Sequence, residues 1–141
     1  EMGSCCTIQR ATLGSTVIGR GTKIGDMLDV GHGTKIGAHG LIVGVTGIAG
    51  SVIIGHHLTL GGGAAIVGHV KIGDNVTVAA HSLVIHSLDG QTTVSGLPAL
   101  PIAQTRRNWA ITARLPELLQ RIKELEQQVE ELAAEPEEEG S

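Results

Sequence analysis

An aliphatic side chain stands at every sixth position over most of the chain: Ile18, Ile24, Val30, Ile36, Ile42, Ile48, Ile54, Leu60, Ile66, Ile72, Val78 and Val84. An amphipathic helix repeats its apolar residues every three or four positions and a half-buried strand every two, so neither sustains this period. A parallel β-helix of hexapeptides does, each hexad giving one short strand and one corner. Three hexads close a triangular coil of roughly 18 residues with the aliphatic residue of every side pointing inward. The spacing therefore predicts a mainly β fold, a left-handed parallel β-helix whose core is a narrow stack.

The other phases of the hexad agree. Gly19, Gly25, Gly31, Gly37, Gly55, Gly61 and Gly73 follow their aliphatic residues directly. Small residues such as Thr22, Thr34, Gly40, Thr46, Ala64 and Ser82 stand four places after the aliphatic one, where a corner leaves little room, with Leu28, Leu58 and Leu88 as larger exceptions. Counting backward in sixes places Thr12 and Cys6 in the inward phase, so coils are expected from about residue 6 to residue 89. With one Trp and neither Phe nor Tyr there is no aromatic core, as expected of a prism too narrow for rings.

Residues 90–105 carry Gly90, Gly96, Pro98 and Pro101, a loop signature that ends strand stacking. In the helical region expected over 106–134, Leu115, Leu118, Ile122, Leu125, Val129 and Leu132 alternate spacings of three and four, a heptad seam. So short a helix is marginal alone and is expected to bury its seam against other copies. A trimer suits both parts, because flat prism faces pack around a three-fold axis. Residues 135–141 read as an acidic, disordered tail.

A formal charge of -4 is too slight to indicate nucleic-acid binding. No apolar run of membrane-spanning length and no signal peptide is visible, so a soluble cytoplasmic protein is expected. Cys5 and Cys6 are adjacent, lack zinc spacing and are expected as reduced thiols.

Seven histidines interrupt the scaffold: His32, His39, His56, His57, His69, His81 and His86. On a period of 18, His32, Gly50, Gly68 and His86 share one column, and His69 lies beside it two coils from His32. Strands about 4.8 Å apart put those two imidazoles roughly 10 Å from each other, wide for metal ligation and suited to two ends of a substrate. His39, His56, His57 and His81 also read as polar residues tolerated at outward corners. His39 and His57 fall in one column, where an adventitious metal is conceivable, but no metal site is expected. His81 and His86 match the histidine pair of the hexapeptide carbonic anhydrases, yet Val45 occupies the place of the third ligand.

The ordered series CTIQRATLGSTVIGRGTKIG, VGHGTKIG, GIAGSVIIG, GHVKIGD, VSGLPALP and RRNWA, followed by the heptad helix, resembles the C-terminal portion of the UDP-3-O-acylglucosamine N-acyltransferases of lipid A biosynthesis. The resemblance runs from Cys6 to about Leu132. It implies that His32, in the GH motif, is the general base for transfer of a 3-hydroxyacyl chain from acyl carrier protein to the glucosamine 2-amine. An imidazole titrating near neutrality suits that task. It further implies that the Gly50 N–H receives the oxyanion, that His69 binds the acyl donor or intermediate, and that Leu83 limits chain length. On the residues alone Gly50 reads equally as a turn glycine and Leu83 as ordinary packing. Arg106, Arg107, Arg114 and Arg121 form a basic cluster suited to acidic acyl carrier protein, or a solvated face. No cofactor is implied beyond the donor's own phosphopantetheine.

The chain departs from the family at Gly25 and Asp26, where an Asp-Asn pair is usual, and at Gln9, where an Asp is usual. Asp26 or Asp29 is a possible replacement partner for the base. The family's separate N-terminal domain, whose aromatic residues hold the uracil, has no counterpart here. An excised or redesigned core of reduced activity is therefore expected, binding UDP-acylglucosamine if that domain is supplied. The alternative is a catalytically silent trimeric scaffold.

Overall fold

The computed structural model describes residues 1–134, so the expected acidic tail lies outside the described residues. Its elements are β1 (Thr7–Ile8), β2 (Val17–Ile18), β3 (Lys23–Ile24), β4 (Asp29–Val30), β5 (Lys35–Ile36), β6 (Leu41–Ile42), β7 (Gly47–Ile48), β8 (Ile53–Ile54), β9 (Thr59–Leu60), β10 (Ala65–Ile66), β11 (Lys71–Ile72), β12 (Thr77–Val78), β13 (Leu83–Val84), β14 (Thr93–Ser95), β15 (Leu100–Pro101), α1 (Ile102–Ala113) and α2 (Leu115–Ala134). Every third strand pairs in parallel, which makes three sheets ordered β1-β4-β7-β10-β13, β2-β5-β8-β11 and β3-β6-β9-β12-β14-β15. The last pair, β14 with β15, is antiparallel. This is a parallel β-solenoid, with one sheet on each side of the prism.

Register follows the hexad. Asp29, Gly47, Ala65 and Leu83 are successive partners across the first sheet, one outward place per coil. The aliphatic partner beside each faces inward, and Val30, Ile48, Ile66 and Val84 are all buried. Thr22 and Thr34 are also buried, and their hydroxyls donate to the carbonyls of Gly37 and Ala49 at 3.1 and 2.8 Å. That removes the cost of burying them. Leu28 and Leu58 fit the corner phase despite their size, each 1% exposed. Truncating a stacked residue leaves a void that two neighbouring coils cannot both fill. Leu60→Ala is therefore expected to cost about 2–5 kcal/mol of unfolding free energy, readable by chemical denaturation.

The two ends of the solenoid depart from the count in sixes. Ile8, not Cys6 or Thr12, pairs with the inward Val30, and Thr7 pairs with Asp29. An earlier bridge joins Met2 to Ile24. The corner between β1 and β2 spans residues 9–16 where other corners hold four, so Thr12 lies exposed on a protruding loop and the backward count loses phase. Cys6 falls in the corner phase instead, packed against the core with Sγ 3.2 Å from the Gly25 carbonyl. At the other end a short corner brings Leu88 opposite Ile72, so Leu88 continues the core series rather than the corner phase. Stacking then runs past residue 89, because Val94 pairs with Val78 and is buried. The stretch 90–105, expected as a loop, thus contributes β14, β15 and the start of α1, where the buried Thr105 hydroxyl donates to the Ser95 carbonyl at 2.8 Å.

The chain divides into two units, Glu1–Thr105 and Arg106–Ser141. In the second, the helical region is interrupted at Arg114, just before Leu115 and Pro116. Pro116 has no N–H to donate to the Thr112 carbonyl and its ring clashes with that carbonyl, so α1 cannot continue through it, whereas proline is tolerated in the first turn of α2. The whole heptad seam consequently lies on α2, with all six of its residues exposed in the single chain. No helix among the described residues is long and apolar enough to cross a membrane.

Candidate functional site

Local backbone geometry sorts the histidines. In the four-residue corners from Ile18 to Val78 the third residue after the core aliphatic takes a positive φ, and His39, His57, His69 and His81 occupy that place together with Asn75, Ser51, Val45 and Met27. A left-handed conformation costs an L-residue about 1–2 kcal/mol, and Asn and His are enriched there. Four of the seven histidines thus have a conformational reason to be where they are. His39 and His57 stack, with ring centroids 5.4 Å apart. His56 has a capping role: its Nδ1 accepts from the Ala38 N–H at 3.0 Å, and its own N–H donates to Asp74 Oδ1 at 2.6 Å.

His32 is different. It stands one place before the positive-φ residue of its corner, at the edge where the first sheet passes into the second. Its imidazole lies against the next coil: a Cβ added to Gly50 would come 2.7 Å from Nε2 and 2.8 Å from Cε1. Only glycine admits the ring there. Gly31 allows an equally close approach on the other side, since a Cβ on it would meet the Gly50 nitrogen at 2.4 Å. Backbone bonds tie the corner into one ladder, the Ser51 N–H donating to the His32 carbonyl at 2.8 Å and the His69 N–H to the Gly50 carbonyl at 3.2 Å. His32, Gly50 and His69 are therefore brought together on three successive coils of one edge.

At this edge, among the described residues, the second corner residue caps no N–H of the coil before it. At three other corners it does, His56 for the Ala38 N–H, Asp74 for the His56 N–H and Asp26 for the Ser4 N–H at 2.7 Å, whereas Gly44, Gly62 and Ala80 in the same place do not. Gly50 and Gly68 have no side chain with which to do this. Among the described residues the N–H groups of His32 and Gly50 donate to no protein acceptor. An unpaired backbone donor beside a histidine can bind an incoming carbonyl oxygen.

Next to this edge, the outer face of the first sheet forms a groove of about 330 Å³ lined by Asp29, Gly47, Ala49, Ala65, Val67 and Leu83. Small residues make its floor and Leu83 its far wall, three coils from Asp29 and so about 14 Å away. Asp29 is the single acid in the lining, and the Thr7 hydroxyl donates to its carboxylate. Asp26 is engaged by Ser4, both through the N–H and through Oγ at 3.1 Å. Among the described residues neither carboxylate is hydrogen-bonded to His32.

His86 is exposed on the shortened corner beyond β13. Arg106 and Arg107 are exposed on α1, and Arg114 at the helix junction pairs with Glu117 at 3.4 Å. Cys5 and Cys6 are free thiols. No group of three or more His, Cys, Asp and Glu side chains converges as a metal site among the described residues.

Counting in sixes missed the loop of residues 9–16, which sits at this edge one coil before His32. The Gln9 N–H donates to the Val30 carbonyl at 2.8 Å, the Thr16 hydroxyl to the Gln9 carbonyl at 2.7 Å, and the Gly33 N–H to Thr16 Oγ1 at 2.9 Å. These bonds anchor the loop on both sides of Gly31 and His32. The visible signal was the break in phase between Ile8 and Ile18, with Gly14 inside it.

No family model matches the chain. It is 56% identical over 120 residues to UDP-3-O-acylglucosamine N-acyltransferase 3 of Gloeobacter violaceus, a match that covers 85% of this chain and 35% of the relative. It is 45% identical over 100 residues to the UDP-3-O-acylglucosamine N-acyltransferase of Campylobacter lari, covering 71% of this chain and 31% of that one. The chain thus spans about a third of the length of these curated relatives. Among solved structures it is similar to a hexapeptide-repeat-containing acetyltransferase of Vibrio cholerae, with a TM-score of 0.58, 25% identity and 70% of each chain covered. A serine acetyltransferase of Neisseria gonorrhoeae matches with a TM-score of 0.54 and 27% identity, over 61% of this chain and 36% of the other.

Proposed function

We propose, on the premise that this chain belongs to the UDP-3-O-acylglucosamine N-acyltransferase family along the third of those proteins that it spans, that its His32 edge carries out N-acyl transfer. The observation that carries the reading is the His32 ring seated on Gly50 beside an unpaired Gly50 N–H. The amine nitrogen of the acceptor attacks the thioester carbonyl carbon while His32 takes a proton from it. The carbonyl oxygen becomes an oxyanion that accepts a hydrogen bond from the Gly50 N–H. The C–S bond then breaks, the amide forms, and the departing sulfur takes the proton held by His32. His69, adjoining the Gly50 carbonyl, holds the donor or the intermediate.

The donor is an acyl group, 3-hydroxyacyl in the family reading, on the phosphopantetheine of acyl carrier protein, and the acceptor is UDP-3-O-acylglucosamine. The acyl chain lies along the small-residue floor of the groove and ends at Leu83. Leu83→Trp is expected to shift preference to shorter acyl chains and Leu83→Ala to longer ones, at about 0.8 kcal/mol for each methylene gained or lost. Competition between donor thioesters of different length reads that shift. Arg106, Arg107 and Arg114 offer cations to the acidic carrier protein. The exposed α2 seam supports assembly with other copies, in a trimer, since an apolar stripe of six residues in a heptad pattern is a self-association surface. The reaction is placed in the cytoplasm.

The test is transfer from acyl carrier protein thioester to UDP-3-O-acylglucosamine, comparing this chain with its His32→Ala variant. Transfer that His32→Ala removes is the expected result. No transfer from either, with the assembly intact by light scattering, would leave a catalytically silent scaffold.

A further inference from the structure

We infer that Arg10 and Lys35 bind the diphosphate of the nucleotide-sugar acceptor and so position its amine at His32; this rests on the acyl-transfer reading of the same edge. In a nucleotide derivative of glucosamine the reacting amine is on C2 and the diphosphate is joined through oxygen to the neighbouring C1. When the amine meets His32, the two phosphates must therefore lie within a sugar's width of that imidazole. They cannot lie in the apolar groove of the first sheet, which is built of Gly47, Ala49, Ala65, Val67 and Leu83 and contains Asp29, whose charge repels them. Gly50 lies ahead, under the ring itself.

Two directions around His32 remain, and each holds a cation. On the preceding coil the loop of residues 9–16 is anchored to Val30 and Gly33, on either side of His32, and it presents Arg10. Around the edge on the second sheet, three residues after His32, Lys35 points outward from β5 opposite Val17, the strand residue that follows the loop. Arg10 and Lys35 are both exposed, and among the described residues neither takes part in an ion pair. Counted from Ile8, the partner of Val30, Arg10 takes the same corner place that His32 takes after Val30, one coil away. A guanidinium and an ammonium flanking the site match a dianion, through charge-assisted hydrogen bonds.

The experiment titrates the chain with UDP alone, following backbone amide shifts of Thr16 and Gly33 by NMR. Arg10→Gln and Lys35→Gln are each expected to weaken UDP binding about tenfold, with Arg10→Lys recovering part of the loss. Lys71→Gln, on the same sheet two coils away, is expected to leave it unchanged. In transfer assays the same two substitutions raise the acceptor KM about tenfold while kcat and the donor KM stay within twofold. Absence of UDP binding, equal affinity in Arg10→Gln, Lys35→Gln and the parent chain, or loss in Lys71→Gln as large as in the other two would overturn the inference. A parent chain that binds UDP through Arg10 and Lys35 yet transfers no acyl group would instead refute the catalytic reading alone.

Discussion

His32→Ala is expected to lower N-acyl transfer by about 10²–10⁴-fold, the range that a positioned acid–base group contributes. The loss should appear in kcat, because the imidazole acts on the proton of the attacking amine and not on either substrate's anchoring groups. Stability should hardly change, since His32 is exposed and its backbone carbonyl, which receives the Ser51 N–H, is kept in the variant. Steady-state kinetics with saturating donor and acceptor, alongside a thermal melt, checks both parts. Undiminished transfer would remove His32 from the chemistry.

Gly50→Ala is the second large effect. Its φ is not in the left-handed region, so the backbone accepts alanine, but the new methyl would stand 2.7 Å from Nε2 of His32 and displace the ring. The methyl also crowds the one N–H that the mechanism assigns to the oxyanion. Losing a single such donor typically costs about 10²–10³-fold in kcat, and the misplaced base adds to it. The variant should fold, because what the methyl meets is a surface ring free to swing outward. Combining it with His32→Ala distinguishes the two causes. If Gly50 acted only by seating the ring, Gly50→Ala would have no further effect in a chain that already lacks His32; a residual loss measures the oxyanion contact.

The solenoid body was legible because its signal is local and repeated. Twelve aliphatic positions each report the same phase, and a period of six admits one kind of backbone. The meeting of His32, Gly50 and His69 followed from that period, since residues about 18 apart must stack. What the repeat could not show was where it changes. The long corner before Val17 and the short one before Leu88 shift the phase by amounts that only the pairing of Thr7 with Asp29, and of Val78 with Val94, reveals. A count in sixes therefore misassigned Cys6, Thr12 and Leu88 while assigning the residues between correctly. The roles of the histidines were half legible: composition flagged all seven, but only the backbone dihedrals separate the four left-handed corner residues from His32.

By itself, the sequence determined the architecture, the inward residue of each regular coil and the stacking of His32, Gly50 and His69 at one edge, because all three follow from periodicity along one chain. The tertiary structure decided which of those groups are chemically available. The seating of the His32 ring on Gly50, the Gly50 N–H left uncapped where the next coil has Gly68, and the extra loop that brackets His32 each depend on atoms from different coils. Contacts between coils are set by the relative register of strands far apart in the chain, and a one-dimensional pattern carries register only while its period holds.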